Sequence, residues 1–193
     1  MNDHWTRRLV YLGLLTALAV VFTRFLSFTV AIGGVDNFRL GIGHLFLIMA
    51  GVLYGPLAGA YVGGMADIIG FVVRPGGPYN PLFTLTSILT AALPGLLLSA
   101  LRRRKSGLPS YWELLAAVAF GQIVSSILLV SWFLQLAFGH PLVVSLVPRV
   151  ITQAFLIPAY AGLLHVLLRR LSAVASLWQS SVLVKAAPGG PGR

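Results

Sequence analysis

The stretch GVLYGPLAGAYVGGMADIIGF, residues 51–71, decides the fold. It is apolar apart from Asp67, and it is cut once, at Tyr54-Gly55-Pro56. Pro56 donates no backbone hydrogen bond and biases Gly55 away from helical geometry, so one long apolar run becomes a tight helical hairpin. Gly51, Gly55, Gly59 and Gly63 recur every four residues, with Asp67 and Phe71 continuing the interval. After the break, Gly59, Gly63 and Asp67 share a stripe along which a neighbouring helix can come close. Asp67 lies about 16 Å up its helix at about 1.5 Å per residue, beyond the bilayer midplane. A carboxylate at that depth faces the bundle interior and needs a partner. Arg24, Arg149 and a ligand are the partners open to it.

The rest of the chain has the same character. Apolar residues make up 58% of the 193 and charged residues 9%, and the mean hydropathy is +0.90, which is the composition of an integral membrane protein. Six apolar stretches, near residues 7–32, 39–54, 56–73, 82–101, 112–138 and 145–169, predict an all-α membrane protein with six transmembrane helices. A hydrocarbon core of about 30 Å takes roughly 20 helical residues, so the second and third are short and must stand upright or be partly irregular. The first run is too long for a signal-peptide core and lacks a small-residue cleavage site, so it stays as a spanning helix. The organisation expected is a six-helix membrane domain over 1–170, then a disordered or interfacial cytoplasmic tail over 171–193 ending in Ala-Ala-Pro-Gly-Gly-Pro-Gly-Arg. There is no cysteine, which excludes disulfides, thiolate nucleophiles and cysteine-held metals.

The net charge of +10 is carried by basic residues at the ends of apolar runs, a topology signal and not a nucleic-acid surface. Arg7, Arg8, Arg102 to Arg104, Lys105, Arg169, Arg170, Lys185 and Arg193 fall on one side, which makes both termini cytoplasmic. Arg24, Arg39, Arg74 and Arg149 fall on the outer side, against the bias. Guanidinium is the side chain best shaped to hold carboxylates, so these four predict capture of an anionic ligand from outside. Between the third and fourth segments, Arg74-Pro75-Gly76-Gly77-Pro78-Tyr79-Asn80-Pro81 makes a stiff outer connector. It is placed to hold Tyr79 and Phe83 over the mouth of the bundle as an aromatic lid for a flat heterocycle. Gln153 follows Arg149 by one helical turn, so the two point the same way.

Residues 39–41, 53–60 (LYGPLAGA), 66–71 (ADIIGF), 81–86 (PLFTLT) and Leu93-Pro94-Gly95 together resemble the substrate-binding S components of energy-coupling factor (ECF) vitamin transporters. The similarity is greatest to the folate family, with its glycine-spaced second and third helices and its Pro-Gly-Phe-Thr-Leu-like entry to the fourth. It covers about residues 8–170; Leu82 departs from it where that pattern has glycine. The resemblance implies a six-helix S-component fold and vitamin capture from outside. It also implies docking on a transmembrane T component with two ATP-binding subunits that use the ATP, and no cofactor in this chain. The family's docking signature, two small residues four apart on the first helix, corresponds to Gly13 and Ala17.

Folate carries two carboxylates and a planar, hydrogen-bonding pterin, which complements cationic forks, an aromatic slot and an acid or amide. Arg24 and Arg149 are assigned to the carboxylates, with Arg39 and Arg74 supporting. Asp67 or Gln153 is assigned to the pterin edge and Tyr79 and Phe83 to its faces, with Thr84 completing the substrate-binding set. A different acidic vitamin or pterin could use the same groups. Enzymatic readings find no motif: Gly-x-Ser-x-Gly, His-Glu-x-x-His and the phosphate-binding Gly-x-x-x-x-Gly-Lys-Ser/Thr loop are absent, and His4, His44, His140 and His165 belong to no catalytic signature. A solitary channel would need neither a lid nor outer arginines.

Overall fold

The protein is described by a computed structural model over residues 3–25, 28–32, 35–40, 42–75, 79–102, 108–138 and 142–170. Helix α1 (Asp3–Arg24) leads into a two-stranded hairpin, β1 (Phe28–Ile32) and β2 (Val35–Leu40). Then come α2 (Gly43–Tyr54), α3 (Pro56–Val73) and α4 (Pro81–Leu101). Helix α5 (Tyr111–Gln122) continues through a π-helical stretch, Ile123–Leu129, into α6 (Val130–Phe138), and α7 (Leu142–Arg170) closes the bundle. With α5, the π stretch and α6 as one rod, six helical rods stand as the sequence predicts. Four of them are long and apolar enough to cross a membrane, and Gly43–Tyr54 is a shorter apolar helix. The tail, 171–193, lies outside the described residues, as do positions 76–78 of the outer connector.

Two boundaries depart from the sequence reading. The apolar run expected to stay helical to residue 32 stops at Arg24, and the second helix begins at Gly43 rather than at residue 39. Between them the chain pairs antiparallel, Phe28 opposite Leu40 and Thr29 opposite Arg39, with an irregularity between Val30 and Ile32. The reason is local. Phe28-Thr29-Val30-Ala31-Ile32 is rich in aromatic and β-branched residues, and Gly33-Gly34 in sequence is the pair that a two-residue hairpin connection takes.

The alternation of rods is visible in what their ends touch. At the inner end of the bundle, Arg8 Nη2 donates to the Tyr54 carbonyl at 2.9 Å and its guanidinium lies 5.9 Å from the Tyr54 ring centroid. A cation there suits the negative end of α2. Arg102, after α4, pairs with Glu113 at 2.8 Å; Glu113 also accepts from the Ser110 amide at 3.0 Å, closing a capping box at the start of α5. Tyr111 meets His165 edge-on at 6.1 Å, tying the start of α5 to the end of α7. The Gly55-Pro56 break is as predicted: Gly55 takes φ 91°, a left-handed value that favours glycine, and Pro56 opens α3.

The centre is held by backbone-to-backbone contact. A Cβ on Gly51 would run into the Ala91 carbonyl oxygen, one on Gly59 would lie 2.7 Å from that oxygen, and one on Gly95 would run into the Gly51 carbonyl. Three helices therefore meet at one spot with no side chains between them, which is how helices associate where lipid removes the usual hydrophobic drive. Ile48, Val62, Ala91, Leu114, Val118 and Leu164 belong to the same buried core. Gly51→Val should cost at least about 3 kcal/mol or prevent folding, because the obstacle is backbone that cannot move aside. Gly13→Ala, whose Cβ would meet nothing within 4 Å, should leave stability unchanged. Thermal unfolding in detergent separates them; a Gly51→Val chain that melts with the wild type refutes the crossing.

Candidate functional site

One network ties the outer ends of α1, α3 and α4 to the connector before α4. Arg24, at the end of α1, pairs with Asp67 Oδ1 at 3.3 Å, with side chains 14% and 17% exposed. It also reaches the carbonyls of Asp67 at 3.4 Å and Arg74 at 3.5 Å. In return Arg74 Nη1 donates to the Arg24 carbonyl at 2.7 Å, capping the end of α1. Thr84 Oγ1 donates to Asp67 Oδ2 at 2.7 Å and lies 2.9 Å from the Tyr79 hydroxyl. A hydroxyl has one proton to give, so Tyr79 donates to Thr84 and Thr84 to Asp67. The Tyr79 ring meets Phe71 edge-on at 5.1 Å. Gly70 makes this possible: a Cβ there would lie 2.6 Å from Arg24 Nε.

Of the two arginines that sequence offers to Asp67, the structure selects Arg24. Arg24 and Arg74 therefore anchor the connector, and Tyr79 is pinned over α3 through Phe71 and over α4 through Thr84. Phe83 stands half-buried in the first turn of α4, its amide donating to the Asn80 carbonyl at 3.1 Å. The Asn80 side chain caps that helix by accepting from the Leu82 amide at 3.0 Å. Arg39 lies in β2 opposite Thr29, and its side chain lies outside the described residues. Strand β2 lies against α7, so the hairpin reaches from α1 across the mouth of the bundle.

A second polar group sits deeper, between α4, α5 with its π stretch, and α7. Thr90 Oγ1 and Ser125 Oγ are 2.8 Å apart, and Ser125 donates to the Gly121 carbonyl at 2.6 Å. Gln122 Oε1 accepts from Ser126 at 2.7 Å and from Gln153 Nε2 at 3.4 Å. Gln122 is 1% exposed. Arg149 Nε, Gln153 Oε1 and Ser131 Oγ are buried with no hydrogen-bond partner among the described residues. Gln122, Ser125 and Ser126 escape the sequence reading. Their signal is polar residues at positions i, i+3 and i+4 of a spanning helix, where polar side chains face the protein interior. The π stretch, which holds Ser125 and Ser126 and begins just after Gln122, is a geometry common at functional sites, and Gly121 lies where a Cβ would be 2.6 Å from the Pro94 ring. Gly13 and Ala17, by contrast, are exposed along α1, away from both polar groups.

Residues 4–170 match the family described as the ECF-type riboflavin transporter, S component, and the chain belongs to that family of multi-pass membrane transporter components. Among individual proteins it is similar to the folate transporter FolT of Clostridium novyi (strain NT), 28% identical over 157 residues, which cover 81% of this chain and 85% of that protein. The folate transporter FolT of Leuconostoc mesenteroides subsp. mesenteroides is 27% identical over 168 residues, with 84% and 85% covered. The fold is that of FolT in its crystal structure with folic acid, at TM-score 0.67 and 21% identity over 92% of this chain and 97% of that one. It is likewise that of the S component of a bacterial ECF transporter, at TM-score 0.65 and 23% identity over 88% and 97%.

The outer network should behave as a unit. Asp67→Asn and Thr84→Val each remove one link and should cost about 1–3 kcal/mol. Amide exchange should accelerate at residues 79–82 and stay unchanged around the Gly51 crossing. Hydrogen exchange read by mass spectrometry checks this; equal protection at 79–82 in the variants would show that the connector is held by something else.

Proposed function

We propose that the chain is the S component that captures folate, or a close pterin derivative, from outside the cell for uptake powered by partner ATPases. The reading is carried by two folate transporters that align over 81% and 84% of it. Charge supports folate over riboflavin, the vitamin in the family description: riboflavin is neutral near pH 7, whereas folate carries two carboxylates that fit an outer mouth supplied with Arg39 and Arg74. The ligand lies under the hairpin and the Tyr79 connector, between the outer halves of α4, α6 and α7, with Arg149 in direct contact. Arg24 acts by holding the connector through Asp67. The isolated chain should bind folate with a dissociation constant below about 1 μM, and riboflavin at least about 100-fold more weakly. Calorimetry on the detergent-solubilised chain, with absorbance of protein purified without added ligand, tests it. Riboflavin binding tighter than folate would overturn the reading.

The partner side of the proposal rests on α1. Gly13 and Ala17 lie on its exposed face, between exposed Leu9, Val10, Leu14 and Val21, where a helix of the T component could approach closely. Replacing both by leucine should leave folate affinity within about twofold, since no ligand group is near, and should abolish co-purification with the T component and its ATP-binding subunits. A double variant that still assembles and transports would refute α1 docking.

A further inference from the structure

The sequence assigns Arg149 to a carboxylate of the ligand, but its surroundings fit a different partner. Arg149 Nε is a buried donor and Gln153 Oε1 a buried acceptor, both without a hydrogen-bond partner among the described residues. They stand one turn apart on one face of α7, separated by a rise of about 6 Å. Gln153 is oriented from behind: its Nε2 donates to Gln122 Oε1 at 3.4 Å, and that oxygen also accepts from Ser126 at 2.7 Å. With its amide nitrogen so engaged, Gln153 presents its oxygen. A carboxylate has only acceptor atoms, so it would satisfy Arg149 and leave Gln153 Oε1 facing a second negative oxygen. A lactam edge, with C=O beside N–H, answers both.

We propose that Arg149 and Gln153 read the lactam edge of the ligand's heteroaromatic ring, with Gln122 and Ser126 as positioning residues for Gln153. The ligand then enters ring first and leaves its anionic tail at the arginine-rich mouth. This deepens the folate reading and rests on it for the identity of the ring.

The test compares folate, a pterin lacking the aminobenzoyl-glutamate tail, and aminobenzoyl-glutamate lacking the ring, on the wild type and on Arg149→Met and Gln153→Leu. Each variant should weaken folate and the tail-free pterin by the same factor, about tenfold to a hundredfold, and leave aminobenzoyl-glutamate unchanged. Gln153→Leu should melt no lower than the wild type without ligand, since it removes an unsatisfied buried oxygen. That keeps lost binding distinct from lost folding. Unchanged affinity for the tail-free pterin alongside weakened folate would overturn the proposal, as would a wild type indifferent to that pterin. If the wild type takes riboflavin and not folate, the folate reading falls, and ring recognition is scored by the same criterion on lumichrome, the tail-free ring of riboflavin.

Discussion

The contact on which everything else depends is the meeting of α2, α3 and α4 at Gly51, Gly59, Gly95 and the Ala91 carbonyl. In lipid, burying apolar side chains between helices gains little, because the tails outside are equally apolar. Close backbone approach is then a principal source of cohesion, through dispersion and through surface that side chains would otherwise hold apart. The crossing sets the spacing of three rods. It leaves their outer halves free to carry polar groups at fixed positions: Asp67 on α3 above Gly63, and Thr84, Thr86 and Thr90 on α4 above Gly95.

On this frame the two polar groups have different characters. The outer one is saturated: both carboxylate oxygens of Asp67, the hydroxyls of Thr84 and Tyr79, and the guanidinium of Arg24 all have partners. It resists rearrangement. The deeper one keeps unmatched atoms on Arg149, Gln153 and Ser131. Unmatched buried polar atoms destabilise an empty protein and become favourable contacts once something complementary arrives. The saturated network thus lies on α1, α3 and α4, and the unmatched atoms lie on α6 and α7.

Much of this was legible in the sequence, for identifiable reasons. The six runs follow from length and hydropathy, and the α2–α3 break follows from the chemistry of Gly55-Pro56. Asp67 had to have an interior partner, and Arg24 was one of those open to it. The hairpin was not legible as such, because Phe28 to Ile32 is as apolar as the helix before it and hydropathy does not distinguish a buried strand from another helical turn. The partnership of Arg24 and Arg74 through each other's carbonyls was hidden as well, since it depends on two helix ends meeting in space. Gln122 and its neighbours were obscured by the apolar residues around them, and no local sequence pattern marks the π stretch. The candidate ligand contacts named from sequence divide accordingly: Asp67, Thr84 and Tyr79 converge with Arg24, while Gln153, one turn from Arg149, meets Gln122, which sequence did not single out.

The brevity of α2 has a consequence for water. Its 12 residues rise about 18 Å, against a hydrocarbon core of about 30 Å, and the chain that leads into it is the hairpin. A two-stranded ribbon leaves backbone donors and acceptors along its edges, and these are tolerated at membrane depth only where protein or water meets them. Strand β2 lies against α7, and any ribbon edge that protein does not meet must be met by water. A short helix continued by a ribbon thus sets a demand for protein or water contact at the outer end of α2 that a full-length helix would not make.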